Sequence, residues 1–172
     1  TRSVSRGNRY SPPPMGLLSI SRAISAKAAA DPNRPAITCG EHTITRRDLD
    51  LRTNRLARAF ADLGVTAGSY VTIGLPNSIA FFEAAIAAWK LVAVPQPISH
   101  RLPDRERQAI VDLAQPTLVV GADPAKHPGC TVIPVGWEPD SSYADTELPD
   151  AVSPTWKAPT SGGSTGRPKL IV

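Results

Sequence analysis

A chain of 172 residues with 41% hydrophobic content can build one core of ordinary domain size. Its net charge of +4 is mild and partly local, and aromatic residues are only 5% of the chain, so a general nucleic-acid surface with basic clusters and stacking platforms is excluded. No apolar run approaches the roughly 20 residues that span a bilayer, because even the stretch from Ile79 to Val94 contains Glu83 and Lys90; a soluble, cytoplasmic protein without a transmembrane segment is expected.

Residues 1–14 carry Arg2, Arg6 and Arg9 with no acidic neighbour and end in Pro12-Pro13-Pro14, just before Met15. They are expected to be a disordered extension, with the folded unit running over 15–172. Leu17, Ile20, Ile24 and Ala28 recur at helical spacing and predict a first amphipathic helix, ended by Asp31-Pro32. Ala36–Cys39 and His42–Thr45, joined at Gly40-Glu41, read as a short hairpin. Thr45 then caps a second helix with Asp48 three residues on; Leu49, Leu56, Ala57, Phe60 and Leu63 form its buried side, and Gly64 stops it. Arg46, Arg47, Arg52 and Arg55 on that helix read as a solvated face.

The strand Tyr70–Leu75 leads through Pro76-Asn77-Ser78 into a helix from Ile79 to Leu91 that is apolar on most of its circumference and must be covered on both sides. Phe81, Phe82 and Trp89 on it read as core. Ala93–Pro97 returns as an extended segment, a helix runs from Pro103 or Asp104 to Ala114, and Thr117–Val120 and Cys130–Val135 are further strands. The alternation of strand and helix predicts an α/β fold, a parallel sheet with flanking helices plus the N-terminal hairpin. Residues 137–154 hold five acids and three prolines with little periodicity and read as a surface excursion. Cys39 and Cys130 show no metal or disulfide spacing and read as free buried thiols, and His42, His100 and His127 stand singly; no metal ligand and no catalytic residue is assigned among them.

Chemistry concentrates at Thr160-Ser161-Gly162-Gly163-Ser164-Thr165-Gly166-Arg167-Pro168-Lys169, followed by Leu170-Ile171-Val172. Three glycines let a backbone approach a ligand closely, four hydroxyls can donate hydrogen bonds, and a lysine supplies positive charge, an inventory suited to phosphate. The flanking residues suggest a loop between two strands. The spacing departs from Walker A, with three residues between Gly162 and Gly166 and a β-favouring triplet after Lys169, so a P-loop NTPase is disfavoured. Taken alone, a Ser/Gly-rich hairpin or linker competes with the phosphate reading.

The order Ser161 to Lys169 resembles the phosphate-binding signature of the adenylate-forming superfamily, which includes acyl-CoA synthetases, peptide-synthetase adenylation domains and luciferases; Leu170 stands where the signature ends in glycine. Asp31–Ile37 resembles that family's approach to its first hairpin, and Gly74–Ser78 its strand-to-helix turn. Ala87–Pro95 resembles the segment written Lys-x-Gly-Ala-x-x-x-Pro, with Val92 in place of the glycine. Residues 160–171 with Pro95–Ser99 are most similar to bacterial bile-acid, steroid and fatty acyl-CoA ligases.

The resemblance implies that Ser161, Gly162, Gly163, Ser164, Thr165, Gly166 and Lys169 hold the β- and γ-phosphates of ATP while a small-molecule carboxylic acid is converted to its acyl-adenylate. Mg²⁺ and transfer to coenzyme A are implied by the family and not by any residue identified here. Since the family places its adenine pocket, metal-binding glutamate and hinge after this loop, the chain is expected to be an N-terminal fragment that does not adenylate by itself. The competing expectation is a non-catalytic binding or interaction module. A fragment lacking sheet partners would expose apolar surface, which offers a route to self-association.

Overall fold

The computed structural model describes residues 18–153, 155–161 and 168–171. The extension read at 1–14 and the first apolar position of the first helix, Leu17, lie outside them. Helix α1 spans Ile20–Ala30, and Ser19 caps it by accepting the Arg22 N–H. The hairpin pairs β1, Pro35–Cys39, with β2, His42–Thr45, in antiparallel register. Thr45 caps α2, Arg46–Asp62: its Oγ1 accepts the Asp48 N–H at 3.1 Å and donates to Asp48 Oδ2 at 2.7 Å.

The parallel unit follows as β3 Tyr70–Ile73, α3 Ile79–Lys90, β4 Val94–Pro97, α4 Asp104–Ala114, β5 Leu118–Val120 and β6 Val132–Ile133. These four strands form one sheet in the order β4-β3-β5-β6, all neighbours parallel. β6 is shorter than Cys130–Val135 suggested, ending where Pro134 removes a backbone donor. Two prolines are tolerated in β4 because it lies at the sheet edge.

Side-chain alternation divides the sheet into two packed faces. Val71, Ile73, Leu118, Val120 and Ile133 meet Ala57 and Phe60 of α2 and the alanine-rich side of α3. Val119 and Val132 meet Val111 of α4. α3 is almost fully covered, as its composition demanded, but Phe82 is 45% exposed and is not core. It stands edge-on to Phe81, ring centroids 5.5 Å apart. Cys39 and Cys130 are free and half-buried instead of buried. His127 is buried, its Nδ1 bonded to Gln108 Oε1 at 2.7 Å.

The arginine face of α2 is only partly given to solvent: Arg47 and Arg52 are exposed, while Arg46 and Arg55 are half-buried. Residues 137–153 run back across it without regular secondary structure, and their acids meet its cations: Arg52 with Glu138 at 3.4 Å, Arg55 with Asp145 at 2.5 Å, and on α1 Arg22 with Glu147 at 2.5 Å. Arg58 donates to the Thr146 carbonyl, and Tyr143 Oη donates to Asp62. The acid excess of the excursion is thus matched to the base excess of the helix, a pairing that no local window of sequence displays.

Between the helices lies a buried charge. Lys90 Nζ donates to Asp50 Oδ1 at 2.6 Å, Asn54 Oδ1 at 2.6 Å and the Asp50 carbonyl at 3.2 Å, which uses all its N–H groups. Burial pulls the lysine below its ordinary pKa, against the hydrogen bond and charge of Asp50. Asp50 also accepts from Ser25 of α1, and Asn54 Nδ2 donates to the Asp145 carbonyl, so one network joins α1, α2, α3 and the excursion.

Both long helices end in the same hydrogen-bonded reversal. After α2, Gly64 N–H bonds Ala61 O and Val65 N–H bonds Phe60 O; after α3, Val92 N–H bonds Trp89 O and Ala93 N–H bonds Ala88 O. The residue at the turn is left-handed in each, Gly64 with φ +97° and Val92 with φ +60°. A β-branched residue is strained there, at a cost of about 1–2 kcal/mol. Val92→Gly is therefore expected to raise the unfolding free energy by about 1 kcal/mol, and a urea titration showing destabilisation would contradict the strain. Lys90→Met, which strands Asp50 and Asn54, should lower it by roughly 3–5 kcal/mol in the same assay.

Candidate functional site: the glycine-rich loop

The ends of the glycine-rich loop form their own antiparallel pair, β7 Thr160–Ser161 with β8 Lys169–Leu170. Thr160 is opposite Leu170, and Ser161 is opposite Lys169. Strand structure on both sides agrees with the sequence reading, and a strand rather than a helix follows the loop. The pair is a separate hairpin, however, and not an extension of the main sheet. Residues opposite each other in a ladder share a face, so Ser161 and Lys169 lie on the same face of that hairpin, at its loop end. Ser161 is half-buried and Lys169 exposed. Gly162, Gly163, Ser164, Thr165 and Gly166 lie outside the described residues.

What ties the hairpin to the core is the arm that leads into it. Ala158 is fully buried, and its N–H donates to the carbonyl of Pro95 on the free edge of β4 at 3.0 Å. Ile171 N–H donates to the Pro159 carbonyl at 2.9 Å, closing the hairpin below β7 and β8. Further out, Trp89 Nε1 donates to the Trp156 carbonyl at 2.6 Å. The two indoles stack with centroids 6.1 Å apart and planes 15° apart, and Lys157 Nζ sits 4.5 Å from the Trp156 ring centroid. The helical spacing of Trp89 predicts a core residue, and it does pack against the core while half-buried; its outer edge also reaches this arm, a contact that no spacing rule relates across so long a separation.

Strand order reverses about β3, so the usual ligand crevice of such sheets lies outside the carboxyl ends of β3 and β5. Gly121, with φ +80°, follows β5 there, and a Cβ on it would fall 2.6 Å from Leu75 Cδ2, so Leu75 packs directly over residue 121.

A larger cleft of about 1000 Å³ opens between the hairpin, α2, the first turns of α3 and residues 133–141. Its walls are mostly apolar, and its charges answer one another: Glu83, only 6% exposed, takes Arg52 Nε at 2.6 Å and Nη2 at 3.3 Å. Burial opposes the charge on Arg52, but Glu83, with Glu138 and Asp48, outweighs it and raises the arginine pKa. This cleft borders the amino-terminal half of α3, whereas the glycine-rich arm meets Trp89 near the other end. The two places are distinct. Among the described residues no three His, Cys, Asp or Glu side chains gather as metal ligands, and no helix is long and apolar enough to cross a membrane.

Residues 24–172 match the family described as AMP-binding enzyme. The 2,3-dihydroxybenzoate-AMP ligase of Bacillus subtilis (strain 168) is 42% identical over 69 residues, 40% of this chain and 13% of that protein. Pseudomonine synthase PmsE of Pseudomonas entomophila (strain L48) is 30% identical over 182 residues, covering 88% of this chain and 29% of its own length. In fold, the N-terminal subdomain of Klebsiella oxytoca NpsA is similar with a TM-score of 0.74 at 19% identity, over 90% of this chain and 41% of that one. The chain thus spans less than a third of those two curated relatives. With the signature from Ser161 to Lys169, the α/β architecture and a family match over nearly all its length, this chain belongs to the AMP-binding, adenylate-forming enzymes and corresponds to their N-terminal region.

Proposed function

We propose that these residues are the phosphate-binding portion of a ligase that joins a carboxylic acid to AMP. The observation that carries the reading is the signature Ser161–Lys169, whose ends are set opposite each other across the β7–β8 pair at the end of an arm fastened to β4. ATP, implied by the family, supplies the adenylyl group and a pyrophosphate leaving group. Ser161, Ser164 and Thr165 donate hydroxyl hydrogen bonds to the β- and γ-phosphate oxygens. Gly162, Gly163 and Gly166 let backbone N–H groups reach them, and Lys169 balances their negative charge. None of the described residues is assigned to Mg²⁺.

The acid and the acceptor are the finer part of the proposal. Coenzyme A as acceptor, with a bile acid, steroid or fatty acid as substrate, is the form suggested by residues 160–171. The 42% identity to a 2,3-dihydroxybenzoate-AMP ligase favours an aromatic acid instead. Acid-dependent exchange of labelled pyrophosphate into ATP, with aryl, fatty and bile acids compared, separates these readings. The assay uses the protein carrying these residues together with the remainder of its relatives' length. The aryl acids are expected to support the fastest exchange. Lys169→Ala should slow it by at least about tenfold, the scale of one lost charge-assisted contact; unchanged exchange would remove Lys169 from the phosphate site.

A further inference from the structure

We infer that Trp89 is a positioning residue for the glycine-rich loop, acting through Trp156. The inference rests on the phosphate-binding reading above. It adds a latch outside the signature, in which the carboxyl end of α3 sets where the loop is presented.

Among the described residues four hydrogen-bonded fastenings hold the arm between Trp156 and β8. The Trp156 carbonyl takes Trp89 Nε1–H, the Ala158 N–H gives to Pro95, the Pro159 carbonyl takes the Ile171 N–H, and Thr160-Ser161 pair with β8. The Trp89 and Ala158 bonds reach the α3–β4 body, while the other two hold the hairpin to itself, and β8 lies beside α4. Buried Ala158 supplies a single bond to an edge strand whose prolines have no N–H to return, and no such bond holds the described segment before it. The Trp89 bond fixes that segment and so the direction from which the arm enters the hairpin.

Trp89 is built to be that point. An indole N–H is a donor only, and its partner is a main-chain carbonyl of a segment without regular structure, so the bond does not depend on a side chain at the receiving end. Trp156 is 57% exposed, so burial does not hold it; its face lies on Trp89 and Lys157 sits over its ring. Trp89 itself cannot drift, because the next residue, Lys90, is locked to Asp50 and Asn54. The helical layer is thereby coupled to a point five residues before Ser161.

The test compares Trp89→Phe, which keeps an aromatic ring and removes the donor, with Trp156→Ala and Trp156→Phe in this chain. Hydrogen exchange is read over residues 155–171 and, as an internal reference, over α2. Binding of inorganic tripolyphosphate is read by calorimetry. Trp89→Phe, which loses the hydrogen bond, and Trp156→Ala, which keeps the carbonyl but loses the indole stack, are each expected to speed exchange at 158–161 and 169–171 and to weaken tripolyphosphate about fivefold, the scale of one hydrogen bond or one aromatic stack. Exchange in α2 should be unaltered, and Trp156→Phe, which retains a stacking ring, should stay near the parent chain. Trp156→Ala touches only the exposed arm, so it reads the stacking half of the latch even where Trp89→Phe disturbs α3. Unchanged exchange along the arm in both disruptive variants, or equal acceleration in α2, overturns the latch. Tripolyphosphate binding to none of the proteins, the parent included, overturns the phosphate reading instead, while exchange still decides the latch.

Discussion

The ammonium of Lys90 is the interaction on which the helical layer depends. An uncompensated buried charge is far more costly than a paired one, so the lysine is tolerable only where Asp50 and Asn54 converge on it. That requirement fixes the approach of α2 and α3. Through Ser25 and the Asp145 carbonyl it also fixes α1 and the returning excursion. An apolar residue here would pack equally well in many arrangements; three directed hydrogen bonds accept one. At the last position of α3, the positive charge also lies at the favourable end of the helix dipole.

The same corner does two further jobs within the four residues from Trp89 to Val92. Trp89 reaches out to the arm of the glycine-rich loop, Lys90 reaches in to the helices, and Val92 turns the chain into β4. The reversal needs a left-handed residue because the N–H groups of Val92 and Ala93 must both point back to α3. A glycine would carry no such strain, and valine costs this chain about 1–2 kcal/mol there. The strain persists because the turn is held at both ends, by Lys90 on one side and by the pairing of Val94 through Pro97 with β3 on the other.

At the carboxyl edge of the sheet Leu75 packs into the space left by Gly121, while the wide cleft beside α2 stays open and carries charges matched as Arg52 with Glu83 and Arg55 with Asp145. The ends of the glycine-rich loop are instead held on the short β7–β8 hairpin, outside the main sheet, and the arm leading into it is fastened to the edge strand β4.

The sequence by itself determined the elements and the family. The hydroxyl cap at Thr45, the glycine at 64 and the apolar periodicities locate helices and strands, because those signals act within a few residues. The nine residues from Ser161 to Lys169 carry the resemblance to the family that the match over 24–172 shows, because a contiguous signature is legible within one window. Only the tertiary structure decided what the charged residues do. Arg55 looked solvated until Asp145, ninety residues on, came to lie against it, and Lys90 and Glu83 looked like interruptions of an apolar helix until α2 supplied their partners. Trp89 and Trp156 likewise meet across 67 positions. Pairings of that separation follow from how the layers stack, and stacking is fixed by the whole core rather than by any window of the chain.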